Sequence, residues 1–206
     1  MTITDLYHQH PALQRVENRV DARLTARTPL VDRLPKHSTG AEIGVYTGVF
    51  SEYLIDQVRP TEFWMVDAWD ISGEPAWNPP PGAPWAAYVD HGNLTYDAAR
   101  QAATLRSAGH HVVTAKSVDW CDSRPADSLD WVYLDTTHRY TDTLAELHAI
   151  ARIVKPGGLI TGDDAWENNH GNPDFGVLQA IRDFTRQAPW EIFYLDNGQF
   201  ALRGDS

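Results

Sequence analysis

The chain of 206 residues holds one cysteine, Cys121, and two methionines, and no apolar run approaches the ~20 residues that a membrane helix needs. A lone cysteine excludes an intrachain disulfide. Behind Met1 there is neither a basic n-region nor an apolar h-region, so a cytoplasmic protein without a membrane partner is expected. Positive charge is also scarce. Seventeen lysines and arginines stand against 28 acids, a net charge of −11, and no basic stripe gathers them, so a phosphate backbone would be repelled and nucleic acid is not expected as a partner. With 14 glycines, 13 prolines and 42% hydrophobic residues the composition is globular rather than low-complexity. One domain spanning 1–206 is the expectation at this length. Aromatic residues, in contrast, are plentiful: eight Trp and eight Tyr exceed what a core of this size usually demands, and such side chains are often spent on ligand surfaces.

The segment 1–37 reads as an N-terminal helical extension. Leu13, Val16, Val20 and Leu24 fall on one face, Arg15, Glu17, Arg19 and Asp21 lie elsewhere around it, and Pro29 and Pro35 interrupt the pattern. From Gly40 the chain alternates strand-like runs with helical spacing: Ala41–Gly44, Phe50–Val58, Glu62–Val66, Tyr96–Ala108, His111–Thr114, Leu129–Leu134, Thr141–Val154, Leu159–Thr161 and Val177–Thr185. Lys155-Pro-Gly-Gly158 is expected to stop a helix, and Asn197-Gly198 between two strand-like runs marks a hairpin. Residues 70–93 break the rhythm with five prolines and carry Trp77, Trp85 and Tyr88, which suits a lid over a binding site. The fold class is therefore α/β, a Rossmann-like doubly wound sheet with a C-terminal antiparallel hairpin, and ligands in such sheets bind beyond the carboxyl ends of the strands.

Chemistry-bearing residues cluster at those ends. Glu42-Ile-Gly44-Val-Tyr46-Thr-Gly48 follows the first strand but lacks both the full dinucleotide fingerprint and a phosphate-loop lysine. Its glycines would let backbone approach a ligand closely, and Asp67, ending the second strand, is placed to accept hydrogen bonds from a ribose diol. Asp135, Asp163 and Asp164 would meet at neighbouring strand ends, where all-oxygen ligation suits Mg²⁺ or Mn²⁺. His138, three residues past Asp135, is expected as a neutral imidazole that takes a proton from a hydroxyl.

The acid-x-Gly-x-x-x-Gly turn, the acid after the second strand and the closing hairpin resemble the class I S-adenosylmethionine-dependent methyltransferases. The Asp135-x-x-His138 segment with the Asp163-Asp164 pair is similar to the metal-dependent O-methyltransferases, and among these to the macrocin and mycinamicin sugar O-methyltransferase type. The resemblance covers about Gly40 to Leu202. It implies S-adenosylmethionine held by Glu42, Gly44, Tyr46, Gly48, Ser51, Asp67, Ser117 and Asp135. It further implies a metal on Asp135, Asp163 and Asp164, and His138 with Asp135 as catalytic groups. The acceptor would be a small molecule or oligosaccharide, methylated on a sugar hydroxyl, with Trp77, Trp85, Tyr88, Trp166 and Asn169 as candidate contacts. Three alternatives stand beside this: that Asp163 and Asp164 merely cap the segment that follows them, that the acceptor is a catechol or phenol, and that the chain binds the cofactor without catalysis. The N-terminal helix and the aromatic residues also offer surfaces for a homodimer.

Overall fold

A computed structural model describes residues 1–69, 96–167 and 175–205. The expected lid at 70–93 and Asn169 lie outside the described residues. In chain order the elements are α1 (Ile3–Gln9), α2 (Pro11–Val31), β1 (Thr39–Ile43), α3 (Val49–Val58), β2 (Glu62–Asp67), α4 (Tyr96–Arg106), β3 (His111–Thr114), α5 (Ser117–Ser123), β4 (Leu129–Leu134), α6 (Tyr140–Ile153), β5 (Val154–Gly162), α7 (Val177–Gln187), β6 (Trp190–Asp196) and β7 (Gln199–Gly204). The seven strands form one sheet in the order β3-β2-β1-β4-β5-β7-β6. The first five are parallel, and β7 runs antiparallel to both β5 and β6. This is the doubly wound sheet with its closing hairpin. Asn197 and Gly198 both take positive φ in the turn, as a two-residue hairpin of this hand requires.

Alternation along the central strands builds two cores. Phe63 and Met65 of β2 and Trp131 and Tyr133 of β4 face α2, α3 and α4, while Trp64, Val66, Val132 and Leu134 face α5, α6 and α7. Trp131 is fully buried, stacks on Phe63 at 5.6 Å between ring centroids and donates its indole N–H to Ser38 at 2.9 Å. Trp131→Ala is expected to cost about 3–5 kcal/mol, read as a fall in the denaturant midpoint.

Three local expectations do not hold. The N-terminal segment is two helices broken at His10, and α2 runs through Pro29 instead of stopping there. Pro11 opens α2 at a position whose N–H no helix uses, so proline marks this boundary as a start. Glu17, expected away from the packed face, is buried; it accepts from the Tyr7 hydroxyl at 2.5 Å and from Arg106 at 3.0 Å, which fastens α2 to α4. α6 does end just before Lys155–Gly158, as expected, but the strand does not wait until Leu159. β5 begins at Val154 directly after α6, and the register slips between the pairs Leu129–Val154 and Trp131–Leu159, so these residues form an irregularity within the strand.

Candidate active site

The carboxyl ends of β1, β2, β4 and β5 meet in one place. Leaving β1, Gly44 takes φ +93°, and a Cβ there would fall 1.8 Å from the carbonyl oxygen of Asp135. Only glycine fits so close to that backbone. The Asp135 N–H donates to Ile43 O at 2.8 Å, so the turn after β1 and the start of the segment after β4 lie against each other.

Asp67 closes over this turn. Its Oδ2 accepts from the N–H groups of Val45 and Tyr46, both at 2.8 Å, and its Oδ1 accepts from Trp69 N at 2.7 Å. Trp69, which no sequence motif marks, is buried and donates its indole N–H to Tyr46 O at 2.8 Å. Tyr46 takes φ +54°, and burial raises its phenol pKa. Gly48, also at positive φ, is the N-cap of α3.

Glu42 is buried beneath the turn, where it accepts from the Ser51 hydroxyl. Ser51 is itself fully buried, so the structure places it against Glu42 as a support of the turn. Burial pushes the Glu42 carboxyl up to about 8. An acid held protonated by the fold makes stability fall as pH rises from its unfolded value of 4.5 through 8. His138, raised from 6.5 to about 9, adds a second loss across that later window. Glu42→Gln should therefore make the fall in melting temperature below pH 6.5 shallower, the remainder there belonging to the buried Glu17, Glu146 and Asp163, which burial also raises, and should leave the part above it that belongs to His138.

Ser117 opens α5, and its hydroxyl donates to Glu146 Oε1 at 2.6 Å, while Thr136 donates to Glu146 Oε2 at 2.8 Å. Glu146, buried on α6, thus ties the segment after β3 to the segment after β4. A single acid on a helix looks like a solvated one, so the sequence does not mark it.

Past β4 and β5 the three aspartates divide into two groups. Asp135 Oδ1 lies 3.0 Å from His138 Nε2, which lies 3.2 Å from Asp164 Oδ2. Both His138 and Asp164 take left-handed backbone conformations, φ +64° and +63°, a pair of unfavourable torsions at one spot. The imidazole stacks on Phe175 at 5.0 Å, and its Nδ1 is buried without a hydrogen-bond partner among the described residues. Burial alone would lower the His138 pKa; the charges of Asp164 and Asp135 outweigh it and push the pKa up to about 9. The two carboxylates on either side of the ring thus favour the imidazolium, where the sequence leads one to expect a neutral imidazole.

Asp163 belongs to the other group. Its Oδ2 accepts from Arg27 at 2.5 Å and Arg23 at 2.9 Å, and its Oδ1 accepts from Gln199 and from Asp164 N at 2.8 Å. The expected metal ligand is turned to arginines of α2. Arg27 also donates to Asp135 Oδ2 at 2.9 Å, so one carboxylate is shared between the two groups. The sequence signals this only by an Arg–Arg spacing of four, on a helix whose apolar face reads as a packing element. Trp166, half-buried, lies against the hairpin turn, where a Cβ on Gly198 would fall 2.3 Å from its ring. Trp77, Trp85, Tyr88 and Asn169 fall outside the described residues.

The sequence of residues 41–165 matches the family model described as a methyltransferase domain. The chain belongs to this methyltransferase family. Its fold is that of the class I S-adenosylmethionine-dependent methyltransferases, and it is similar to several solved ones. An O-methyltransferase from Bacillus cereus, solved with S-adenosylhomocysteine, is 14% identical with a TM-score of 0.56, over 100% of this chain and 98% of that one. The N-methyltransferase NodS from Bradyrhizobium japonicum, also solved with S-adenosylhomocysteine, is 13% identical with a TM-score of 0.57, over 92% and 88%. An S-adenosylmethionine-dependent methyltransferase from Aquifex aeolicus is 14% identical with a TM-score of 0.57, over 91% and 95%. No curated protein matches the sequence. Among the described residues no helix is long and apolar enough to cross a membrane.

Proposed function

We propose that this methyltransferase transfers its methyl group to a hydroxyl of a sugar or glycoside with the help of Mg²⁺ or Mn²⁺, and that His138 takes the hydroxyl proton. The observation that carries this reading is the convergence of Asp135 Oδ1, His138 Nε2 and Asp164 Oδ2 within 4.8 Å of one another, beside the Gly44 turn. Two carboxylate oxygens suit a hard divalent ion, and His138 turns its Nε2 toward both of them, at 3.0 and 3.2 Å. Asp135 and Asp164 would hold the ion. The Gly44–Gly48 turn, with Asp67 fixing it, would hold S-adenosylmethionine.

Bound there, the cofactor supplies a methyl group on a sulfonium and the ion supplies positive charge that offsets the two carboxylates and a developing alkoxide. What remains for the chain is to place the acceptor oxygen and remove its proton. Asp164 and Asp135 stabilise the imidazolium of His138; were an ion to offset their charges, the pKa would fall back toward the ordinary 6.5 and the ring would be a competent base near pH 7. Phe175 keeps the ring flat against one face, and Asp135 keeps Nε2 aimed at the site.

The test is methyl transfer from labelled S-adenosylmethionine to a panel of glycosides and aromatic diols, with Mg²⁺, with Mn²⁺ and with chelator. Metal-dependent methylation of glycosides is expected. Activity confined to catechols or phenols would replace the acceptor class, and cofactor binding with no transfer to any hydroxyl would leave a binding protein. Transfer unaffected by chelator would remove the ion.

A further inference from the structure

The arginines of α2 enter the cluster in a manner that the proton transfer does not use. Arg27 is almost wholly buried, its guanidinium lies over the Phe50 ring at 4.4 Å from the centroid, and its Nη2 is shared by Asp135 Oδ2 at 2.9 Å and Asp163 Oδ2 at 2.5 Å. Arg23, one turn earlier and half-exposed, meets the same Asp163 oxygen at 2.9 Å. With Gln199 and the Asp164 N–H on Oδ1, the Asp163 carboxylate has donors on both oxygens. A guanidinium stays charged at any working pH, and here the ring beneath it and the chain behind it fix its place.

We propose that Arg27, seconded by Arg23, is the built-in cation of this carboxylate cluster: it closes the Asp135–Asp163 side, so that a single divalent ion is admitted, at Asp135 and Asp164, and is held loosely. The inference rests on the metal reading above and adds to it which side of the cluster is taken and by what. Three carboxylates set side by side would otherwise invite a tightly held ion or a pair of ions. Arg27 cancels part of that charge and occupies Asp135 Oδ2, leaving Oδ1 turned to His138 and the ion, which makes it a positioning residue for both.

The test is Mn²⁺ titration of the whole metal-stripped protein by calorimetry, with bound Mn²⁺ counted by spin resonance, for the wild type, Arg27→Gln, Arg23→Gln and Asp164→Asn. Arg27→Gln is expected to tighten Mn²⁺ binding about tenfold or more and to admit a second, weaker ion, since removal of a nearby positive charge and release of Asp163 act in the same direction. Arg23→Gln, a half-exposed change that the fold should tolerate, is expected to tighten it severalfold. A merely structural Arg27 would lower the melting temperature and leave the Mn²⁺ affinity of the folded protein unmoved. If Arg27→Gln, or Arg23→Gln where the first does not fold, binds Mn²⁺ no tighter than the wild type, the proposal is overturned. The metal reading fails separately, if the wild type binds no Mn²⁺ or if Asp164→Asn binds it equally well. A wild type without Mn²⁺ would sink the metal reading and the admitted ion with it; an Arg27→Gln variant that then gains Mn²⁺ would support only the part in which Arg27 stands as the cluster's own cation.

Discussion

His138→Ala is expected to lower turnover by roughly 10²–10⁴-fold while S-adenosylhomocysteine binds with unchanged affinity. The split follows from where the residue sits. Its Nε2 faces Asp135 and Asp164, whereas most of the groups set out to hold the cofactor lie in the Gly44 turn and its brace Asp67; Asp135 alone is shared, and it keeps its bond to Arg27 when the imidazole is removed. The backbone makes a separate contribution. His138 adopts φ +64°, a region that alanine tolerates poorly and asparagine well, so part of an alanine defect would come from the main chain. His138→Asn removes the base and keeps the torsion accessible, and it should lose turnover to a similar extent with a smaller fall in melting temperature. Full turnover in the asparagine variant would remove His138 from the proton transfer.

Gly44→Ala is expected to cost about 2–5 kcal/mol of stability and to abolish measurable cofactor binding, read by thermal melts and by calorimetry with S-adenosylhomocysteine. Two effects add. A left-handed torsion costs an alanine about 1–2 kcal/mol, and a Cβ placed 1.8 Å from the Asp135 carbonyl oxygen forces the segments after β1 and β4 apart, at a further cost of about 1–3 kcal/mol. Gly109→Ala isolates the first effect, because Gly109 has φ +88° and a Cβ there would meet nothing within 4 Å. The excess of Gly44→Ala over Gly109→Ala is the contact itself. Equal losses would show that the two segments can separate freely, and retained cofactor affinity would show that the turn's close approach to Asp135 is not what shapes the binding site.

The elements of the sheet were legible because each carries a local signature: apolar runs of strand length, glycine turns and the Asn197-Gly198 hairpin all report on neighbours a few residues away. Helix α5 was not, since Ser117–Ser123 is too short for a period to register. The site was legible in part. Asp67, Asp135 and His138 announced themselves by standing at strand ends, but the division of the aspartates depends on which partner reaches them from a distant helix. No spacing rule brings Arg27 to Asp163, or Gln199 to the same carboxylate. The charge of His138 escapes the sequence for the same reason: it is set by Asp164, which joins the imidazole only through the pairing of β4 with β5.

The arginine contacts of α2 also bear on the order in which the molecule is assembled. Arg27 reaches Asp135 across 108 positions and Asp163 across 136, and Asp163 then waits for Gln199, 36 positions further on. During synthesis the helix that carries Arg27 leaves the ribosome well before any of these partners. Loops of this span are slow to close. The early strands and their helices can pair beforehand, yet Asp163 gains its full set of donors only when α2 and the closing hairpin are both in place, so this corner of the site is completed by the last strand to be made.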